Sequence, residues 1–440
     1  MKTKSHQNKK VNLITLGCSK NLVDSENIIT QLRHSDWKAE HEQSENADIV
    51  IINTCGFIES AKQESIDTII RFAQAKSSGE IEKLFVTGCL SERYRKELAA
   101  EIPEVDDWFG TLEMPELLAK FDVDYKHELI GERQITTPKH YAYLKIAEGC
   151  SRTCAFCAIP MMRGSHVSRT IESLVEEARN LASYGVKELM LISQELTFYG
   201  LDIYKKRALS DLVKALNEVE GIEWIRLHYT YPGKFPMDVL DTIAESEHVC
   251  KYLDIPLQHV SDAVLKRMKR QTQKADVYEV IRTARERIPN LSIRTTFLVG
   301  FPGETEADFE ELLDFVREMQ FERVGVFQYS HEEGTTGYLL EDDVPEAVKV
   351  ARANRLMEVQ REISAQKNQG FIGKTLKVLF DRKEGEYFVG RTEYDSPEVD
   401  NEVLVLAEKN YVRIGDFAEV TITGATEFDL FGRLGVGEKG

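Results

Sequence analysis

The chain has 440 residues, 42% hydrophobic and 30% charged, with 56 Lys plus Arg against 74 Asp plus Glu and a formal charge of −18. That length and apolar content predict roughly three domains of about 150 residues, each with a core of its own, and argue against disorder. An overall basic field for coating nucleic acid is excluded, no run of about 18 apolar residues predicts a membrane span, and the polar Met1–Lys10 lacks a signal-like apolar stretch, so a cytoplasmic location with no membrane partner is expected.

In chain order, one pattern repeats three times in the first 140 residues. A β-branched run, Val11 to Leu16, ends in Gly17-Cys18 before a helical segment from Asn21 to Leu32. Ile49 to Ile52 ends in Asn53-Thr54-Cys55 before Ile58 to Ala75, and Leu84 to Thr87 ends in Gly88-Cys89 before Ser91 to Ile102, with Ser91 as the expected N-cap. Alternating strands and helices predict a parallel sheet whose strands end on one edge. Cys18, Cys55 and Cys89 would therefore converge although they lie 37 and 34 residues apart. One such cysteine reads as a small buried residue; three at one structural position describe a metal or iron-sulfur site.

Six further βα units are predicted, with strands at Tyr141 to Ile146, Glu188 to Ile192, Trp224 to Tyr229, Tyr252 to Ile255, Ile293 to Val299 and Arg323 to Tyr329. Six units suit a partial (β/α) barrel better than a full eight-stranded one. A charged helix, Glu346 to Gln369, leads out of it. Five short strands follow, at Leu376 to Phe380, Tyr387 to Arg391, Val403 to Leu406, Ala418 to Thr423 and Leu430 to Leu434, which predicts a small OB-like antiparallel β-barrel. This last region carries 9 Lys plus Arg and 14 Asp plus Glu between residues 371 and 440, poor material for phosphate contacts.

The seven cysteines form no disulfide framework. Cys150, Cys154 and Cys157 form C-x3-C-x2-C on the loop after the first barrel strand. Zinc sites need four ligands, and no fourth Cys or His follows at a suitable spacing, since His166 lies beyond Pro160. Three thiolates on a four-iron cluster would leave one iron open to chelate a substrate or cofactor. Cys250 has no partner at ligand spacing and reads as a buried filler.

The motif, with Phe156 as the aromatic residue before its third Cys, resembles the signature of radical S-adenosylmethionine enzymes. The resemblance implies that the open iron is bound by the amino and carboxylate groups of S-adenosylmethionine. One electron then cleaves the sulfonium, and the resulting 5′-deoxyadenosyl radical abstracts an unactivated hydrogen. Residues 11 to 435 together resemble the methylthiotransferases of that superfamily, which join an N-terminal three-Cys domain, a radical barrel and a C-terminal TRAM domain. By that resemblance the domains are residues 1–140, 141–369 and 370–440. Cys18, Cys55 and Cys89 would bind a second 4Fe-4S cluster, and the reaction inserts sulfur and a methyl group at a C-H bond, with an electron donor and a sulfur source as further partners.

Within the family, Leu16 to Glu26 (LGCSKNLVDSE), Pro160 to Gly164 (PMMRG) and Tyr252 to His259 (YLDIPLQH) resemble the RimO type, which modifies an aspartate of the twelfth small-subunit ribosomal protein. Ser151-Arg152-Thr153 departs from the commonest spelling of that branch, though not at a ligand. An acidic C-terminal barrel suits a basic protein substrate and makes direct nucleic-acid binding unexpected. The rival readings are a tRNA adenosine methylthiotransferase and a non-catalytic iron-sulfur or RNA-binding module.

Strand alternation makes Arg226, His228, Arg294 and Thr296 candidates to line the barrel cavity, where a cation could hold the cofactor carboxylate or the substrate aspartate. Arg226 and His228 are assigned to substrate, Arg294 and Thr296 to cofactor. By resemblance, Gln194 and Glu195 fall where the methionyl amino group is contacted. Gly300 opens a glycine-rich segment near the adenosine, and Phe156 joins the cofactor contacts.

Overall fold

A computed structural model describes residues 9–42 and 47–435; most of the Met1–Lys10 segment lies outside the described residues. The N-terminal sheet contains β1 (Lys10–Thr15), β2 (Lys38–His41), β3 (Ile49–Thr54), β4 (Lys83–Gly88) and β5 (Asp107–Trp108), in the order β2-β1-β3-β4-β5. Every pair is parallel. Central β3, Ile-Val-Ile-Ile-Asn-Thr, is buried along its whole length, as a strand covered by helices on both faces must be. Its apolar residues split between two cores, Ile49 and Ile51 on one face and Val50 and Ile52 on the other. The three anticipated strands are present, and two short edge strands extend them. Ser91 is not a cap: the helix begins at Cys89, and Ser91 is buried inside it.

The central sheet has six parallel strands: β6 (Tyr141–Lys145), β9 (Glu188–Ile192), β10 (Trp224–Leu227), β11 (Val249–Asp254), β12 (Ser292–Val299) and β13 (Arg323–Gln328). A two-stranded ribbon, β7 (Ala147–Glu148) with β8 (Val167–Ser168), brackets the C-x3-C-x2-C segment. Alternation sorts the strand residues. Ile225 and Leu227 join the core beneath the helices, while Trp224, Cys250 and Tyr252 pack instead against Leu379 and Phe417 of the C-terminal barrel. Cys250 thus lies within β11, fully buried, as an apolar filler. A representative helix, Glu306–Met319, opens with a reciprocal cap in which Asp308 N donates to Thr305 Oγ1 at 3.2 Å and Thr305 N to Asp308 Oδ2 at 3.0 Å.

Helix Glu346–Gln369 leads to the closed barrel β14 (Thr375–Glu384), β15 (Tyr387–Arg391), β16 (Glu402–Leu406), β17 (Phe417–Ala425) and β18 (Asp429–Leu434). It is not wholly antiparallel, because β16 and β18 run parallel. This barrel sits at the amino ends of the central strands, where His140 meets Asp381 at 2.8 Å and Lys187 meets Asp416 at 2.8 Å. Its β15–β16 loop, residues 392–401, reaches into the foot of the central barrel. Among the described residues no helix is long and apolar enough to cross a membrane.

Candidate iron-sulfur and cofactor site

The parallel register sets Thr15 beside Asn53 and Thr54 beside Gly88, so β1, β3 and β4 end together. Cys18, Cys55 and Cys89 follow those ends as free thiols, exposed, half-buried and buried in that order. Gly17 permits the approach: its φ is +89°, and a Cβ there would lie 2.9 Å from Cys55 Sγ. Asn21 stitches the edge, its Nδ2 donating to Leu16 O at 2.8 Å and Thr54 O at 3.1 Å. Burial pushes the Cys89 thiol up to about 12 and the Cys55 thiol in the same direction, with Arg163 pulling both back.

The second triad is held by backbone. Cys150 N donates to Gly164 O at 3.0 Å, Ala155 N to Met268 O at 2.8 Å and Cys157 N to Cys154 O at 3.1 Å. Gly149 (φ +72°) is required, since a Cβ there would lie 2.2 Å from Ser165 O. Burial raises Cys150 to about 11 and Cys157 to about 12. Metal binding must displace these protons. Among the described residues no group of His, Cys, Asp or Glu closes around a single metal ion; a four-iron cluster is a larger body, bound by thiolates set further apart.

The first triad abuts the segment that follows the second. Cys89 packs with Ala158 and Met162, one and five residues after Cys157. Arg163, 2% exposed, donates to Glu148 Oε1 at 2.8 Å, Asn21 Oδ1 at 2.5 Å and Asp24 Oδ2 at 3.0 Å. Lys145 pairs with the same two carboxylates, reaching Glu148 at 2.7 Å. In the sequence Arg163 stands out only as part of the Pro160–Gly164 stretch. Its place six residues after Cys157, on a short helix, was the available signal.

The remaining candidates divide. Gln194 Nε2 donates to Glu148 at 3.2 Å, while its Oε1 is buried with no partner among the described residues, an acceptor free for a ligand donor. Phe156 packs with Leu298, Phe301 and Tyr329 beside the Gly300–Glu304 turn. In that turn Gly300 N donates to Glu304 Oε2 at 2.6 Å. Thr296 lies on the same strand, 9% exposed.

Four expectations require correction. Glu195 is not available to an amino group, because Arg152 pairs with its Oε2 at 2.8 Å and Thr197 N donates to its Oε1 at 2.6 Å. Arg226 faces inward as alternation requires, yet it meets Glu188 at 2.8 Å and Glu393 O at 2.7 Å, so the loop of the C-terminal barrel takes the place of a substrate. Arg294 is likewise engaged by Asp400 at 3.2 Å and Asp254 at 3.5 Å. His228 Nε2 meets Ser396 Oγ at 3.2 Å, and burial with Arg226, Arg294 and Lys20 nearby holds the imidazole neutral.

Residues 144–316 match the Radical SAM superfamily, 372–434 the TRAM domain and 10–110 an uncharacterized protein family, UPF0004. The chain is 58% identical to the ribosomal protein uS12 methylthiotransferase RimO of Cytophaga hutchinsonii, over 99% of this chain and 100% of that one. It is 50% identical to the protein of the same name from Bacteroides thetaiotaomicron, over 97% and 98%. Among solved structures, the radical S-adenosylmethionine methyltransferase TsrM from Kitasatospora setae superposes with a TM-score of 0.54 at 12% identity, covering 72% of each chain. The cobalamin-dependent radical enzyme OxsB superposes at 0.52 and 12%, covering 81% of this chain and 56% of that one. These two likenesses concern the fold alone.

Proposed function

Because the chain belongs to the RimO family of radical S-adenosylmethionine methylthiotransferases, we propose that it methylthiolates the β-carbon of an aspartate in ribosomal protein uS12, with each thiol triad holding a 4Fe-4S cluster. The observation that carries this reading is the packing of Cys89, from one three-cysteine set, against Ala158 and Met162 just after the other, with Arg163 bridging the two domains beside them. One set alone would suit many radical enzymes. Two sets so joined suit a reaction that needs both a radical and a sulfur at one carbon.

Cys150, Cys154 and Cys157 would hold the radical cluster, and Cys18, Cys55 and Cys89 the auxiliary one. The clusters and S-adenosylmethionine supply one-electron chemistry, sulfur and methyl that no side chain here provides. The unpaired Gln194 Oε1 and the ring of Phe156 fit the cofactor's polar and aromatic parts. Arg163 and Lys145 neutralise Asp24 and Glu148, so that no unbalanced carboxylate repels an anionic ligand. Met162 and Ala158 exclude water beside Cys89. The separate sheets support domain limits near residues 140 and 369. A reductant and a sulfur source are further partners, and the cytoplasm, where ribosomal proteins are met, is the inferred location.

Anaerobically reconstituted enzyme, given S-adenosylmethionine, a low-potential reductant and uS12, should add one methylthio group to one aspartate, read by tandem mass spectrometry. Cofactor cleavage with uS12 unchanged would overturn the substrate assignment.

A further inference from the structure

Lys20, two residues beyond Cys18 and in the first turn of helix Ser19–His34, carries a charge that the cysteine assignments leave unused. The residue is 7% exposed, and its Nζ lies 3.2 Å from the centroid of the Tyr229 ring. Among the described residues its ammonium has no carboxylate partner and no hydrogen bond. Neighbouring cations differ: Lys145 and Arg163 share Asp24 and Glu148, Arg152 pairs with Glu195, and Arg294 pairs with Asp400 and Asp254. Arg270 donates to Pro256 O and lies towards Cys157, on the radical side. An ammonium on a largely buried stem, with only an aromatic face against it, is placed to take an anion.

The platform beneath it is built with strain. Tyr229, at the carboxyl end of β10, has φ +62°, a left-handed conformation uncommon for an aromatic residue. It is pinned there by its N–H donating to Asp254 Oδ2 at 3.0 Å and its carbonyl accepting from Leu196 N at 3.1 Å. The ring therefore stands at the mouth of the barrel, where Lys20 of the N-terminal domain crosses over to it. Asp254 is already committed to Tyr229 N and Arg294, so it does not serve as the missing anion.

The geometry points to Lys20 as the residue that binds the side-chain carboxylate of the target aspartate, and so sets specificity for aspartate over its neutral isosteres. This rests on the reading that an aspartate is the substrate. The carboxylate is one bond from the β-carbon, so a cation beside Cys18 that grips it holds that carbon at the triad assigned to sulfur. A charge-assisted contact of this kind discriminates about 10- to 100-fold against an uncharged analogue.

The test uses the cluster-loaded enzyme, a labelled uS12 peptide containing the target aspartate, and the same peptide with asparagine there. Wild type should bind the first about tenfold or more tightly by fluorescence anisotropy. Lys20→Met and Lys20→Gln should bring the two affinities together, while Lys20→Arg keeps them apart. All three should keep full iron content and wild-type affinity for S-adenosylmethionine. Retained aspartate preference in both neutral variants would overturn the proposal, as would weakened cofactor binding with the preference intact, or lost iron with both peptides weakened alike. Failure of wild type to modify uS12 at all would instead remove the substrate reading beneath it.

Discussion

Arg163 is where the two halves of the site meet, because its guanidinium serves Asn21 and Asp24 of one domain and Glu148 of the other. Replacing it by Met leaves two half-buried carboxylates sharing Lys145 alone, and breaking such a network costs about 3 kcal/mol, the low end for a buried pair. Urea unfolding of cluster-free Arg163→Met should show a loss of that order; a change within experimental error would remove Arg163 from this role. The cysteines make separable predictions. Cys154→Ala should retain about four of eight irons and cleave no S-adenosylmethionine, whereas Cys89→Ser should lose the other cluster and keep cleavage. Equal loss of cleavage in both would contradict the division of labour. At this scale the thiols were legible because strand ends and local spacing placed them. Arg226 and Arg294 were legible in orientation but not in partner, since each is engaged from two sides, and Glu393 and Asp400 lie more than a hundred residues downstream.

The element that sequence reasoning did not anticipate is the β15–β16 loop filling the foot of the central barrel. Arg323 meets Asp395 at 2.5 Å, Tyr252 Oη donates to Asp400 at 2.7 Å, and Arg391 bridges Glu188 at 2.8 Å and Asp381 at 2.6 Å. Polar residues inside a barrel commonly signal a ligand, and here the ligand is the chain itself. Arg226→Met should therefore lower the melting temperature, read by calorimetry, and leave the KM for uS12 unchanged. A raised KM at unchanged stability would restore Arg226 to the substrate. Several strands were anticipated closely because an apolar run is closed by Gly or Asn, as at Gly17, Asn53, Gly88 and Gly300. The edge strands β2 and β5 were not, because four and two residues carry too little alternation to register.

Across the whole molecule, the N-terminal domain is clasped onto the central barrel at Glu332, which meets Lys62 at 3.0 Å and Arg93 at 3.2 Å. Burial alone would raise this carboxyl, but Ser330, Lys62 and Arg93 hold it below its ordinary 4.5. A carboxylate with a depressed folded value stabilises fully above the unfolded value, and the contribution is lost as pH falls through the folded one. The stability gap between wild type and Glu332→Gln should thus be constant at neutral pH and close below about pH 4.5, measured by urea titration of cluster-free protein. A gap that widened in acid would contradict the sign. Fold class and domain order were readable from periodicity; the packing of the domains was not, because single long-range ion pairs such as this one leave no periodic trace.

The most direct test of the account compares uS12 and tRNA from a strain lacking this protein, by mass spectrometry, before and after the gene is restored. The account predicts that the methylthio group on the uS12 aspartate disappears and returns while tRNA methylthioadenosine is unaffected. Loss of the tRNA modification with uS12 still marked would contradict it.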